Sequence, residues 1–194
     1  MGVSMIRVMR GWQDCQVWKI AIGCAAKCGT TSLARMAFES RARRIIPIGW
    51  SGMRQQRIDF SLIPKGYYKI GVVRHPLDRF YSLVMNIRER TRGKNNFYKQ
   101  CEGLDVAGIW EIISKDLDYD YHFQPQYRVG IDKADVLVKL DHLNEWWDSN
   151  KPKGARDMPI ENSSSGKGVE PQKEVMASVL KAYETDLKLW ERAE

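Results

Sequence analysis

The apolar, partly β-branched run from Val17 to Cys24 ends in a cluster of Gly, Thr and Ser, and a helical stretch follows from about Thr31 to Glu39. Such a run, stopped by small polar residues and succeeded by a 3.6-residue period, predicts strand, loop and helix in that order. The succession comes again downstream. A second strand is expected at Arg44 to Ile48 and a third at Tyr67 to Val73, which ends in Arg74, His75 and Pro76. Proline suits the first turn of a helix, where its missing N–H would have had no partner anyway. In that helix Leu77, Phe80, Tyr81, Val84 and Ile87 recur at spacings of three and four, giving one apolar stripe expected to pack against the sheet. A further helix is predicted at Leu104 to Leu117, a short buried strand at Val136 to Leu140, and one amphipathic helix at Val175 to Trp190 with Val179, Leu180, Tyr183 and Leu187 inward.

Strands that alternate with helices predict an α/β chain with a mostly parallel central sheet flanked by helices, and such sheets bind ligands beyond the carboxyl ends of their strands. With 194 residues, 43% hydrophobic and 28% charged, the chain is long enough for one domain with its own core, spanning 1–194. The segment 148–171 is rich in Lys, Gly, Ser and Pro and has no periodicity, which reads as a lid, a binding loop or a disordered stretch.

A formal charge of +7 attracts anions but does not choose among nucleic acid, acidic lipid, sulfated sugar and phosphorylated nucleotide. The basic residues are scattered and no zinc-finger, leucine-zipper or RNA-binding signature accompanies them, so nucleic acid is not the expected partner. Cys15, Cys24, Cys28 and Cys101 neither suggest a disulfide framework nor find His or Cys partners for a metal, and reduced thiols without metal are expected. Arg7, Arg10, Asp14 and Lys19 interrupt the N-terminal region, so neither a signal peptide nor a membrane anchor is expected and the sequence predicts a soluble, cytoplasmic protein.

The segment Ile22-Gly-Cys-Ala-Ala-Lys-Cys-Gly-Thr-Thr-Ser-Leu33 has the parts of an anion cradle at a strand-to-helix turn. Gly29 lets the backbone approach closely, a helix N-terminus presents unpaired amides, Thr30, Thr31 and Ser32 add hydroxyls, and Lys27 adds charge. An ordinary capped helix is the plainer reading. The loop is not a Walker A motif, because counting on from Gly23 puts Cys28 where the second Gly belongs and Gly29 where the Lys belongs.

Lys27-Cys-Gly-Thr-Thr-Ser-Leu33 resembles the 5'-phosphosulfate loop of sulfotransferases that use 3'-phosphoadenosine 5'-phosphosulfate (PAPS), whose usual form is Pro-Lys-x-Gly-Thr/Ser-Thr. Here Ala26 replaces the Pro. Ile70-Gly-Val-Val-Arg-His-Pro-Leu-Asp-Arg-Phe-Tyr-Ser-Leu83 is similar to the family's 3'-phosphate motif, in which a strand-end Arg and a Ser eight residues later grip that phosphate. The matching positions are Arg74 and Ser82. At about 100° per residue Ser82 lies about 140° from Leu77, clear of the apolar stripe. Tyr121-His-Phe-Gln-Pro-Gln126 resembles the His-Trp/Phe-x-Pro-Gln segment of Golgi carbohydrate sulfotransferases of the chondroitin and HNK-1 type, Asp135 to Leu143 their late strand and acidic turn, and Asn162-Ser163-Ser164 a later Asn-Ser-Ser element.

The resemblance implies a P-loop-like three-layer fold, PAPS as co-substrate, and a hydroxyl-bearing acceptor, a carbohydrate by the nearest motifs. It implies that Lys27, Cys28, Gly29, Thr30, Thr31 and Ser32 hold the 5' side of the nucleotide, that Arg74 and Ser82 hold the 3' side, and that Asn162, Ser163 and Ser164 contribute as well. In-line transfer needs charge at the departing oxygen, for which Lys27 is placed, and a group that takes the acceptor's proton. Among His75, His122, His142, Glu39 and Asp59, His122 is the expected base, with a buried structural histidine as the alternative; His75 reads as a helix-start polar group and His142 as a surface or cap residue. The rival readings are a kinase of P-loop ancestry and a nucleotide-binding relative without transfer activity.

Overall fold

The run Ile20–Cys24 forms strand β4, and Tyr68–Val73 forms β5 beside it in parallel, with Ile22 opposite Ile70 and Cys24 opposite Val72. β6, Val136–Lys139, continues the sheet in parallel on the far side of β5, with Val73 opposite Lys139. Met5–Met9, β1, pairs antiparallel with β4, so the sheet runs β1, β4, β5, β6. A small hairpin joins Trp12–Gln13 (β2) to Gln16–Val17 (β3). The computed structural model describes residues 5–9, 12–13, 16–17, 20–25, 27–28, 33, 60, 63, 65–89, 96–120, 122–153, 155, 157–158 and 172–194. The expected strand at 44–48 and most of the expected helix at 31–39 lie outside them, although Leu33 is helical and fully buried.

The helices follow the apolar periods. Among the described residues, beyond the single helical position Leu33, they are α1, Pro76–Glu89; α2, Asn96–Gln100; α3, Val106–Lys115; α4, Leu143–Asn150; α5, Lys173–Ala182; and α6, Glu184–Glu191. α3 starts where Asp105 accepts the amide of Gly108, the usual side-chain cap. Short 3-10 turns cover Gln126–Val129, Ile131–Lys133 and Leu140–His142. The chain is thus mixed α/β with three parallel strands, and among the described residues no helix is long and apolar enough to cross a membrane.

Among the described residues two apolar clusters stand out. One surrounds the sheet and gathers Ile22, Leu33, Phe60, Ile70, Val72, Val138, Trp147 and Leu189. Gly71 sits in this cluster because a Cβ there would meet Ile131 Cγ1 at 2.7 Å and Leu137 Cδ2 at 2.9 Å. The other is helical, with Phe80, Val84 and Ile87 of α1 packed among Ile109 and Trp110 of α3, Val175 and Val179 of α5, and Phe97 and Phe123. The stripe on α1 is buried as its period predicts, but its partners are helices and not the sheet that the sequence led us to expect.

Three further expectations change. The C-terminal helix is two helices, broken at Tyr183 (φ −108°, ψ 30°), and the inward face moves from Val175, Val179 and Tyr183 to Asp186 and Leu189. The break lets the Tyr183 hydroxyl donate to the Phe123 carbonyl, leaving Leu180 and Leu187 only half-buried. Within the segment expected to lack periodicity, α4 runs on to Asn150 and Met158 is buried. Lys151 ties this turn with ion pairs to Asp148 and Asp157.

Candidate functional site

Parallel pairing sets the carboxyl ends of β4, β5 and β6 along one edge. β4 passes there into a tight turn in which the Cys28 amide donates to the Ala25 carbonyl at 3.3 Å, and Lys27 takes φ 67°. That left-handed conformation is unusual for a residue with a side chain, and alternation of right- and left-handed residues is what lets successive amides point into one concavity. β5 passes into Arg74 beside it. Arg74 Nη1 donates to the Lys27 carbonyl at 3.0 Å, so two segments separated by 47 residues meet at the strand ends.

Gln126 joins them. Its Oε1 accepts from the Arg74 amide at 2.9 Å and from the Cys28 thiol at 3.1 Å, and its Nε2 donates to the Arg74 carbonyl at 2.8 Å. The backbone amides of Gln126 and Tyr127 donate in turn to Asp186 Oδ2 at 2.7 Å and Oδ1 at 3.1 Å. A carboxylate from α6 thereby caps the 3-10 turn that Pro125, with no side-chain donor or acceptor, leaves uncapped. Arg79, one turn along α1, lies 3.9 Å from Asp186 and donates to the carbonyls of His122 at 3.1 Å and Gln124 at 2.6 Å.

Burial pushes the Asp186 carboxyl above the ordinary aspartate range, with the Arg79 charge and the two amides pulling the other way. Burial likewise pushes the Cys28 thiol up to about 11 against the pull of Arg79 and Arg74. The thiol is therefore neutral near pH 7 and serves as a donor, not a nucleophile.

The site thus brings together Lys27, Cys28 and Arg74 from the expected residues. Ser82 is buried in the second turn of α1. Gly29, Thr30, Thr31, Ser32, Asn162, Ser163 and Ser164 lie outside the described residues, as do Glu39, Asp59 and Cys15. His122 belongs to the turn that Arg79 holds, and its ring Nδ1 stands 2.7 Å from Asp120 Oδ1, whose carboxylate also accepts the His122 amide at 2.9 Å. A carboxylate at Nδ1 holds the imidazole ring in one orientation, as a carboxylate partner does for histidines that act on protons. His75 is the helix-start residue it was expected to be: its Nδ1 accepts from the Leu77 amide at 3.3 Å, and its ring meets Trp190 edge-on at 4.8 Å. His142 is exposed at the head of α4 and makes no side-chain cap.

Sequence periodicity missed Arg79, Asp120 and Asp186. Asp186 left one signal, a carboxylate three residues beyond the inward Tyr183 on an apolar face. No family model, curated protein or solved structure matches this chain, so what the edge does has to be read from its own residues.

Proposed function

We propose that the chain is a sulfotransferase that moves a sulfuryl group from PAPS to a hydroxyl acceptor, a carbohydrate in the first instance, on a P-loop-like three-layer fold. The observation that carries the reading is the meeting of Lys27 and Arg74 at the carboxyl edge of parallel strands, held at 3.0 Å. Two cationic side chains at one strand edge, on separate segments, suit a nucleotide with phosphate at both its 5' and 3' ends. In this reading Lys27 and the loop through Ser32 hold the 5'-phosphosulfate, and Arg74 with Ser82 holds the 3'-phosphate. His122, oriented by Asp120, takes the proton of the acceptor hydroxyl. The chemistry needs no metal, because a sulfuryl group carries less charge than a γ-phosphoryl group and lysine with backbone amides suffices to neutralise the leaving oxygen. Cys24, Cys28 and Cys101, buried as thiols, suit a reducing, cytoplasmic setting.

Thermal melting with 3'-phosphoadenosine 5'-phosphate, ADP and ATP-Mg tests the reading, since a ligand that binds only the native state raises its stability, by about 2.7 kcal/mol at a hundred times its Kd. The 3'-phosphorylated nucleotide should stabilise most, and Arg74→Ala with Ser82→Ala should remove its advantage over ADP. Equal stabilisation by ADP in the unaltered protein would end the assignment, and a preference for ATP-Mg would turn it to phosphoryl transfer. Incubating labelled PAPS with glycans, small alcohols and phenols then identifies the acceptor.

A further inference from the structure

We infer that Gln126 is a positioning residue of the nucleotide site, which sets Arg74 against the Lys27–Cys28 turn and so gives the site its preference for a 3'-phosphorylated nucleotide. The inference rests on the proposed function. Strand pairing between β5 and β6 ends at Val73 and Lys139, one residue short of Arg74. From there the Gln126 side chain takes over the role of a neighbouring strand, accepting from the Arg74 amide and donating to the Arg74 carbonyl. Two bonds to the same residue fix both of its peptide planes, and with them the point from which the guanidinium departs.

The same Oε1 also receives the Cys28 thiol, so a single buried amide registers the turn after β4 against the residue after β5. Gln126 is itself anchored, because its amide donates to Asp186 and Asp186 faces Arg79. A glutamine kept only for packing would not need both ends of its amide spent on the two segments that are to hold the two ends of one ligand. Glutamate has the same shape, yet it sets an oxygen against the Arg74 carbonyl where an N–H donor belongs, so the pairing is lost without a change of volume. Cys28→Ala takes away the thiol alone.

The experiment is calorimetric titration of 3'-phosphoadenosine 5'-phosphate and of ADP into the unaltered protein, Gln126→Glu and Cys28→Ala, after each has been shown to melt cooperatively. In Gln126→Glu the 3'-phosphorylated nucleotide should weaken about tenfold or more while ADP stays within about threefold, a loss the size of one misdirected charge-assisted bond. Cys28→Ala should lose about two- to fivefold of the preference, since one of three bonds to Gln126 is gone. A glutamine that merely stabilises the fold would lower the melting temperature of the free protein and leave the preference intact, and that result overturns the inference. Should Gln126→Glu fail to fold, Cys28→Ala decides, and an unaltered preference there counts against it. If the unaltered protein shows no preference at all, the proposed function falls and takes this inference with it, an outcome the control separates from the others.

Discussion

Arg79 and Asp186 face each other at 3.9 Å in the interior, the first from the opening turn of α1 and the second from α6, both almost without solvent contact. Neither charge would be stable there alone. Together they hold the two turns that flank Pro125, Arg79 through the carbonyls of His122 and Gln124 and Asp186 through the amides of Gln126 and Tyr127.

Asp186→Ala should therefore lower the unfolding free energy by about 3–5 kcal/mol, since it strands a buried guanidinium and two amides at once. Urea unfolding measures the loss. Arg79→Met should cost less when added to Asp186→Ala than when made alone, because the partner charge has already gone. Strict additivity of the two changes would show that the pair does not act as a unit.

Lys27 should separate stability from turnover. Its left-handed backbone costs a residue with a side chain about 1–2 kcal/mol, most of which glycine avoids while giving back about 0.5–1 kcal/mol in the unfolded chain. Lys27→Gly should thus melt at the same temperature as the unaltered protein or slightly above it. Sulfuryl transfer, assayed in EDTA, should nonetheless fall about 10²-fold or more, as the loss of a placed charge at the leaving oxygen requires. Normal turnover in a well-folded Lys27→Gly would take the lysine out of the chemistry.

His122→Ala should reduce transfer by about 10²- to 10⁴-fold and leave affinity for 3'-phosphoadenosine 5'-phosphate unchanged. Asp120→Asn keeps the turn but weakens the hold on Nδ1, so it should reduce transfer by about tenfold or more and change the pH–rate profile with it. Full activity in the alanine variant moves the base elsewhere, to Glu39 or Asp59.

The Cys28 thiol gives a prediction on the alkaline side. Its value in the fold, about 11, lies above the ordinary 9.0, so between these limits the unfolded chain releases a proton that the folded chain keeps. Stability contributed by the neutral thiol is whole below pH 9 and drains away as the pH rises through 11, at about 1.4 kcal/mol per unit. Cys28→Ser, whose hydroxyl does not titrate there, should lose less stability between pH 9 and 11 than the unaltered protein. Parallel curves for the two would contradict this.

Periodicity carried much of the architecture. β4, β5, β6, α1 and α3 stand within a few residues of where apolar spacing put them, because each is a local pattern meeting a buried surface. The five-residue β1 around Arg7 was too short for alternation to stand out. Tyr183 sits inward on a continuous helical period, and only its long-range bond to the Phe123 carbonyl explains why the helix breaks there. Within the site, the residues in local motifs, Lys27 and Arg74, were legible. Gln126 was visible as part of a segment but not as a clamp, and Arg79 and Asp186 not at all, since their roles arise from partners 43 to 60 residues away along the chain.

The thiol of Cys28 finds Gln126 across 98 residues, and the amide of Gln126 finds Asp186 across another 60. During synthesis from the N-terminus, the turn after β4 leaves the ribosome long before the glutamine that registers it, and that glutamine waits in turn for a carboxylate near residue 186. Vectorial growth cannot complete this edge piece by piece. At about 5–20 residues per second, the stretch from Cys28 to Asp186 takes on the order of ten seconds or more to emerge, and for that time the cationic turn has no latch.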